Sequence, residues 1–170
     1  MKYNTEMNDL LFFFEIFPHS DLKIPTQDYT LQTIWQGNMS IAPDGSKACF
    51  NFTYALGFDT ISCESLTVHH HLWSPLQASI KYMEKLKINF VEPNAKVIRF
   101  TDISVTDSWI YLYCNHGDEH LILKFSWGGE LKLKYLVHES LKHICVDKND
   151  RYVYAVTEGE ESDILLKYVL

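Results

Sequence analysis

Three stretches of the chain gather side chains able to hold a metal ion or move a proton: His69-His70-His71, His116-Gly117-Asp118-Glu119-His120, and Glu158 to Asp163. Neutral imidazole nitrogens and carboxylate oxygens are common zinc donors. Three consecutive histidines cannot all meet one ion from a strand, where neighbours point to opposite faces, so at most His69 and His71 could cooperate. The second run offers more donor types, and His116, Asp118 and His120 stand as the candidate metal ligands. It falls in a predicted hairpin loop bent at Gly117, however, and lacks the HExxH order of a helix-borne zinc site. The acidic run lacks the alternating Asp order of a calcium loop and reads as a solvated turn.

Ser104, His143 and Asp102 supply the residue types of a Ser-His-Asp triad, a selection that almost any chain offers. The sequence contains no G-x-S-x-G elbow and no glycine-rich phosphate loop, so no catalytic residue and no cofactor are assigned. Trp35, Trp73, Trp109 and Trp127 could line a sugar or peptide surface, or pack inside a sheet.

The elements that must position these residues are strands. Asp102 to Tyr135 consists of three apolar, aromatic-rich stretches broken by Asp-Ser, His-Gly-Asp and Gly-Gly, the pattern of a three-stranded antiparallel meander. The plan recurs at Ile144 to Leu170: Tyr111 aligns on Tyr154, Lys124 on Lys167 and Phe125 on Tyr168, at a constant shift of 43 residues. Ile103 and Val105 match Ile144 and Val146 at a shift of 41, which places a two-residue difference in the first hairpin. Ser40 to Phe50, with the turn Pro43-Asp44-Gly45, is a more divergent third copy of that hairpin. A period in the low forties, with one four-stranded sheet per repeat, is that of a β-propeller.

The expected fold is therefore all-β, a partial β-propeller of about three four-stranded antiparallel blades, half of a six-bladed ring. As a single domain over 1–170, it divides into N-terminal strands (1–36), a first blade with an irregular insertion (37–95), a second blade (96–138) and a last blade (139–170). The last blade ends after its third strand, and an exposed edge is rarely left bare. Leu10 to Phe17 or Tyr29 to Gln36 is expected to pair with Ile164 to Leu170. Over 74–90 the sequence leaves helix and strand both open, because Leu76, Ile80, Met83 and Leu86 have helix-like spacing behind a Ser74 cap.

Composition narrows the function classes. At 46% hydrophobic and 14% aromatic, the chain can bury a sizeable core, and its formal net charge of −7 argues against nucleic acid. No stretch approaches the roughly 20 apolar residues of a membrane span. Leu10 to Phe14 is too short, and too closely flanked by acids, for a signal peptide. The chain is expected to be soluble: either cytoplasmic or a mature protein whose leader is absent. Cys49, Cys63, Cys114 and Cys145 are unevenly spaced and read as free, mostly buried thiols within strands.

The aspartate-led first hairpin, the F-x-W-x-G turn at Phe125 to Gly129 and the late Cys145-Val146-Asp147 make residues 38 to 170 resemble the C-terminal half of the TolB-like six-bladed propeller family of bacterial cell-envelope proteins. The similarity is weakest between 67 and 95. It implies a non-catalytic binding or scaffolding module with a protein, peptide or carbohydrate partner. It also implies an envelope association that the sequence itself does not carry. The family has six blades where this chain shows three, so a homodimer completing one ring is expected. The alternative is a hydrolase or lyase with polar residues converging at the channel mouth. The copies do not supply such a cluster: the equivalent inner-strand positions read Ser40, Ser104 and Cys145.

Overall fold

The computed structural model describes residues 36–53, 56–74, 78–83, 88–93, 99–116 and 118–170. Alternation of β-branched and aromatic residues with polar turns produces strands throughout, and the described residues contain no helix. Sheet I holds β1 (Gly37–Ile41), β2 (Lys47–Phe52), β3 (Leu56–Ser62) and β4 (Val68–Ser74) as an antiparallel meander in chain order. A separate hairpin follows, formed by β5 (Ala78–Met83) and β6 (Ile88–Pro93). Sheet II holds β7 (Arg99–Val105), β8 (Trp109–His116), β9 (Glu119–Ser126) and β10 (Leu131–Val137). Sheet III holds β11 (Leu141–Val146), β12 (Tyr152–Thr157) and β13 (Ile164–Val169).

The first strands of the three sheets are neighbours, with β7 lying against β1 and β2 on one side and β11 on the other. Two four-stranded meanders and one of three described strands, packed with their first strands together, are arranged as propeller blades, and the all-β fold matches a partial β-propeller. One apolar core fills the I–II junction, where Phe58 and Phe125 meet edge to face at 5.1 Å. A second fills the II–III junction around Tyr111, Tyr113, Ile144, Val146 and Val153. Full burial of such side chains stabilises by roughly 1.5–3 kcal/mol each.

The 43-residue repeat is a repeat of register. Tyr111 pairs with Lys124 across β8 and β9, and Tyr154 with Lys167 across β12 and β13. Lys124 Nζ lies 4.5 Å from the Trp109 ring centroid and 5.2 Å from that of Tyr111; Lys167 Nζ lies 3.8 Å from Tyr152 and 5.6 Å from Tyr154. Both first strands also break register at the same place, between Phe100 and Asp102 and between Leu141 and His143. The two-residue difference lies in the turns: Thr106 N donates to Trp109 O in sheet II, whereas Asp147 N donates to Tyr152 O in sheet III.

Of residues 74–90, which the sequence left open between helix and strand, the described ones are strand, with β5 and β6 paired from Ala78–Pro93 to Met83–Ile88. The histidine run lies on β4, the outer strand of sheet I, where the start of an irregular insertion was expected. Cys63 falls just beyond β3 and Cys145 is exposed, so only Cys49 and Cys114 are buried; all four are free thiols. The expected partners of β13, Leu10 to Phe17 and Tyr29 to Gln36, lie outside the described residues apart from Gln36. Among the described residues β13 pairs with β12 alone.

Candidate functional site

The polar residues that suggested chemistry are spent largely on joining the sheets. Asp102 Oδ2 accepts from Ile144 N at 2.7 Å and Ser104 Oγ accepts from Val146 N at 2.9 Å, so both side chains satisfy main-chain donors of β11. His143 Nδ1 lies 3.5 Å from Asp102, but its ring is exposed while Ser104 is buried beneath β11. Asp102 and His143 are thus brought together, and Ser104 is directed to the backbone. Across the other junction, Asn38 Nδ2 donates to Thr101 O and Asn51 Nδ2 to Phe100 O, each at 2.9 Å.

A second set of contacts joins the turns. Asp107 Oδ1 accepts from Asp44 N at 2.9 Å, linking the first turn of sheet II to that of sheet I. Asp150 Oδ1 accepts from Thr106 Oγ1 at 3.0 Å and from Tyr111 OH at 2.9 Å, linking sheet III to sheet II. Burial, then the bond to Asp150, raises the Tyr111 phenol well above its ordinary pKa. Asp150 adopts φ 56°, a conformation Asp tolerates better than most side chains. Sequence reasoning missed Asp107 and Asp150. The available signal was that an aspartate stands in each first turn, at 44, 107 and 150.

The loop candidates are dispersed. His116 Nδ1 is 4.0 Å from Glu119 Oε2, and Asp118 is exposed. His120 Nδ1 instead meets Asn115 Oδ1 at 2.9 Å and Tyr113 OH at 3.1 Å, and that hydroxyl also accepts from Leu141 N across the junction. In the acidic loop, Asp163 binds Lys142 Nζ at 2.7 Å. Among the described residues, no group of three or more His, Cys, Asp or Glu is arranged to hold a metal ion.

The histidine run does contribute a polar cluster. His70 Nδ1 meets Asp59 Oδ1 at 2.8 Å, and His71 Nε2 meets Thr60 Oγ1 at 3.2 Å. Burial raises the Asp59 carboxyl to about 6 against the opposing pull of His70, while its Oδ2 has no hydrogen-bond partner. Burial, with Asp59 beside it, also pushes the Cys49 thiol well up. His69 lines a cleft of about 340 Å³ with Lys47, Thr60 and Trp127. Trp127 and Trp109 are partly buried packing residues of the two junctions.

No family model matches the sequence, and no curated protein does so either. Among solved structures, the chain is similar to the Dos1 propeller at 6% identity and a TM-score of 0.47, over 77% of this chain and 32% of that one. It is also similar to hydrazine synthase of Kuenenia stuttgartiensis at 11% identity and a TM-score of 0.34, over 76% of this chain and 58% of that one. The chain thus spans about a third and somewhat over half of these two structures. Its assignment as a partial propeller rests on its own strand order and sheet packing.

The most distinctive surface is the outer face of sheet III. Counting 43 residues on from Tyr111, Tyr113, Ile122 and Lys124 gives Tyr154, Val156, Leu165 and Lys167. In sheet II Tyr111, Tyr113 and Ile122 are buried in the II–III junction, and Ile122 is 2% exposed; its counterpart Leu165 is 71% exposed. Val169 and Cys145 share this face and are also exposed. The polar pins change with it: where sheet II presents Asp102 and Ser104, sheet III presents His143 and Cys145. The described residues also contain no helix long and apolar enough to cross a membrane.

Proposed function

We propose that the chain is a non-catalytic, propeller-type binding or scaffolding module that completes its ring by self-association. One observation carries this reading: the outer face of sheet III holds, at a shift of 43, the positions of a face that is buried one sheet earlier, where Ile122 is 2% exposed and its counterpart Leu165 is 71% exposed. An apolar sheet face of this kind marks an interaction surface, and closed cyclic symmetry is the common way to bury such surfaces in copies of one chain. Two three-bladed halves make six blades, within the range at which propellers close. The resemblance of residues 38 to 170 to the TolB-like family supports the same count.

The completed ring is a scaffold whose end loops offer a surface to a protein, peptide or carbohydrate. The hydrolase or lyase alternative has no observation in its favour, since Asp102 and Ser104 are engaged with the β11 backbone. Light scattering coupled to size exclusion tests the reading. Near micromolar concentration the expected mass is twice the 19.9 kDa of one chain, and a monomeric mass overturns it.

A further inference from the structure

We infer that the outer part of the I–II junction binds a small amphipathic carboxylate, its apolar tail lying on leucine and phenylalanine side chains and its carboxylate on Lys134. The register of sheet II puts the site on one face. Leu131 pairs with Phe125, Lys134 with Leu123 and Leu136 with Leu121, so these side chains of β9 and β10 share the side that packs against sheet I. Leu123 and Phe125 belong to the core of that junction, but the cover thins out toward β10, where Leu131 is 40% and Leu136 62% exposed. Between the buried and the exposed parts lies an open cleft of about 250 Å³. Leu123 and Phe125 form its floor, Leu56 of β3 joins Leu121 and Leu131 as its walls, and Lys134 is its one charged lining residue.

The charge in this cleft is unmatched. Lys132 and Lys142 pair with carboxylates, and Lys47, Lys124 and Lys167 lie over aromatic rings. Lys134 has neither kind of partner among the described residues, although it sits close enough to the buried Cys114 to oppose the rise that burial imposes on that thiol. An ammonium at the rim of an apolar cleft selects a ligand with one negative charge at the end of an apolar body. A phosphate group would meet a single cation and no other side-chain donor, and a neutral ligand would leave the ammonium without a counter-charge. The cleft is slightly smaller than the roughly 300 Å³ at which ligand pockets commonly begin, which limits the tail to a short acyl chain or a single ring. It lies on the side of sheet II away from sheet III, so the site is independent of the self-association proposed above.

Octanoate is the probe. Titrated into the full chain, it should bind saturably and shift the methyl resonances of Leu121, Leu123 and Leu131 in an NMR spectrum. Lys134→Met keeps an extended side chain without its charge. It should weaken octanoate about fivefold, the upper end for a solvent-exposed ion pair, and leave binding of the neutral isostere octanol unchanged. Leu131→Asp sets a negative charge on the wall of the cleft and should abolish binding of both probes. Lys134 and Leu131 are exposed, so both variants should melt as the unaltered chain does. Absence of saturable binding, an octanoate affinity that Lys134→Met leaves unchanged, or shifts confined to the exposed Leu165 and Val169 of sheet III would each overturn the assignment.

Discussion

Removing the Asp150 carboxylate should loosen sheet III from sheet II by an amount the local geometry sets. Asp150 Oδ1 is the acceptor for two hydroxyls, Thr106 Oγ1 at 3.0 Å and Tyr111 OH at 2.9 Å, and Thr106 and Tyr111 are themselves buried. Asp150→Ala leaves both donors unsatisfied at roughly 1–2 kcal/mol each, about 3 kcal/mol together. It also puts a plain Cβ side chain at φ 56°, which adds about 1 kcal/mol. The expected total of about 4 kcal/mol corresponds to a fall in Tm of about 8–16 °C for a chain of this size. Asp150→Gly removes the acceptor without the backbone strain and should recover about 1 kcal/mol. Asp150→Asn keeps a carbonyl acceptor and tolerates the same φ, so it should cost the least of the three. Urea unfolding of Tyr111→Phe, Asp150→Ala and the double variant forms a cycle whose coupling should exceed about 0.5 kcal/mol. Strict additivity in that cycle would refute the claim that this carboxylate joins the sheets.

Other perturbations have equally definite outcomes. Asp59 has its folded pKa raised to about 6 from 3.8, so the folded state binds the proton more tightly and stability from this group rises as pH falls through 6. Between pH 7 and pH 5 the gain should be about 1 kcal/mol, and it should be missing from Asp59→Asn; parallel pH profiles of the two proteins would contradict it. Gly129→Ala should cost about 2 kcal/mol, because Gly129 has φ 83° and a Cβ there collides with the His71 ring. Gly45→Ala, at φ 74° with open space around it, should cost only the backbone strain, about 1 kcal/mol. Equal melting temperatures for these two glycine variants would argue against the His71 contact. The sequence expectation that Leu10 to Phe17 or Tyr29 to Gln36 pairs with Ile164 to Leu170 is tested by deleting residues 1 to 36: solubility or stability should fall, and an unchanged melting curve would remove that expectation.

The sheets of the second and third blades were legible because strand pairing preserves period. Once Tyr111 faces Lys124, a shift of 43 on both strands carries the same pair to Tyr154 and Lys167. The break in register near Thr101 and Lys142 left no trace in the sequence, since both copies have it and the alignment passes straight through. Residues 74–90 were ambiguous because Leu76, Ile80, Met83 and Leu86 step by four, three and three residues, a helical spacing. The strand Ala78–Met83 is fixed instead by its pairing with Ile88–Pro93, which a local spacing does not reveal.

The candidate site was the least legible part. Ser104, His143 and Asp102 carry the residue types of a triad, but in the fold Asp102 and Ser104 accept from the β11 backbone. His120 similarly turns from the loop toward Asn115 and Tyr113. What a side chain touches depends on the neighbouring sheet, and that neighbour is far away in sequence. Asp107 and Asp150 were overlooked for the same reason, because an aspartate in a turn ordinarily serves its own turn.

The direction of the turn contacts bears on how the chain is made. Asp107 completes the Asp44 turn, and Asp150 completes the Thr106 turn, so each blade is finished by residues that follow it in the sequence. During synthesis from the N-terminus, the Tyr111 and Thr106 hydroxyls must stay hydrated until some forty further residues have emerged from the ribosome. Each blade thus waits for its successor before its last buried donors are matched.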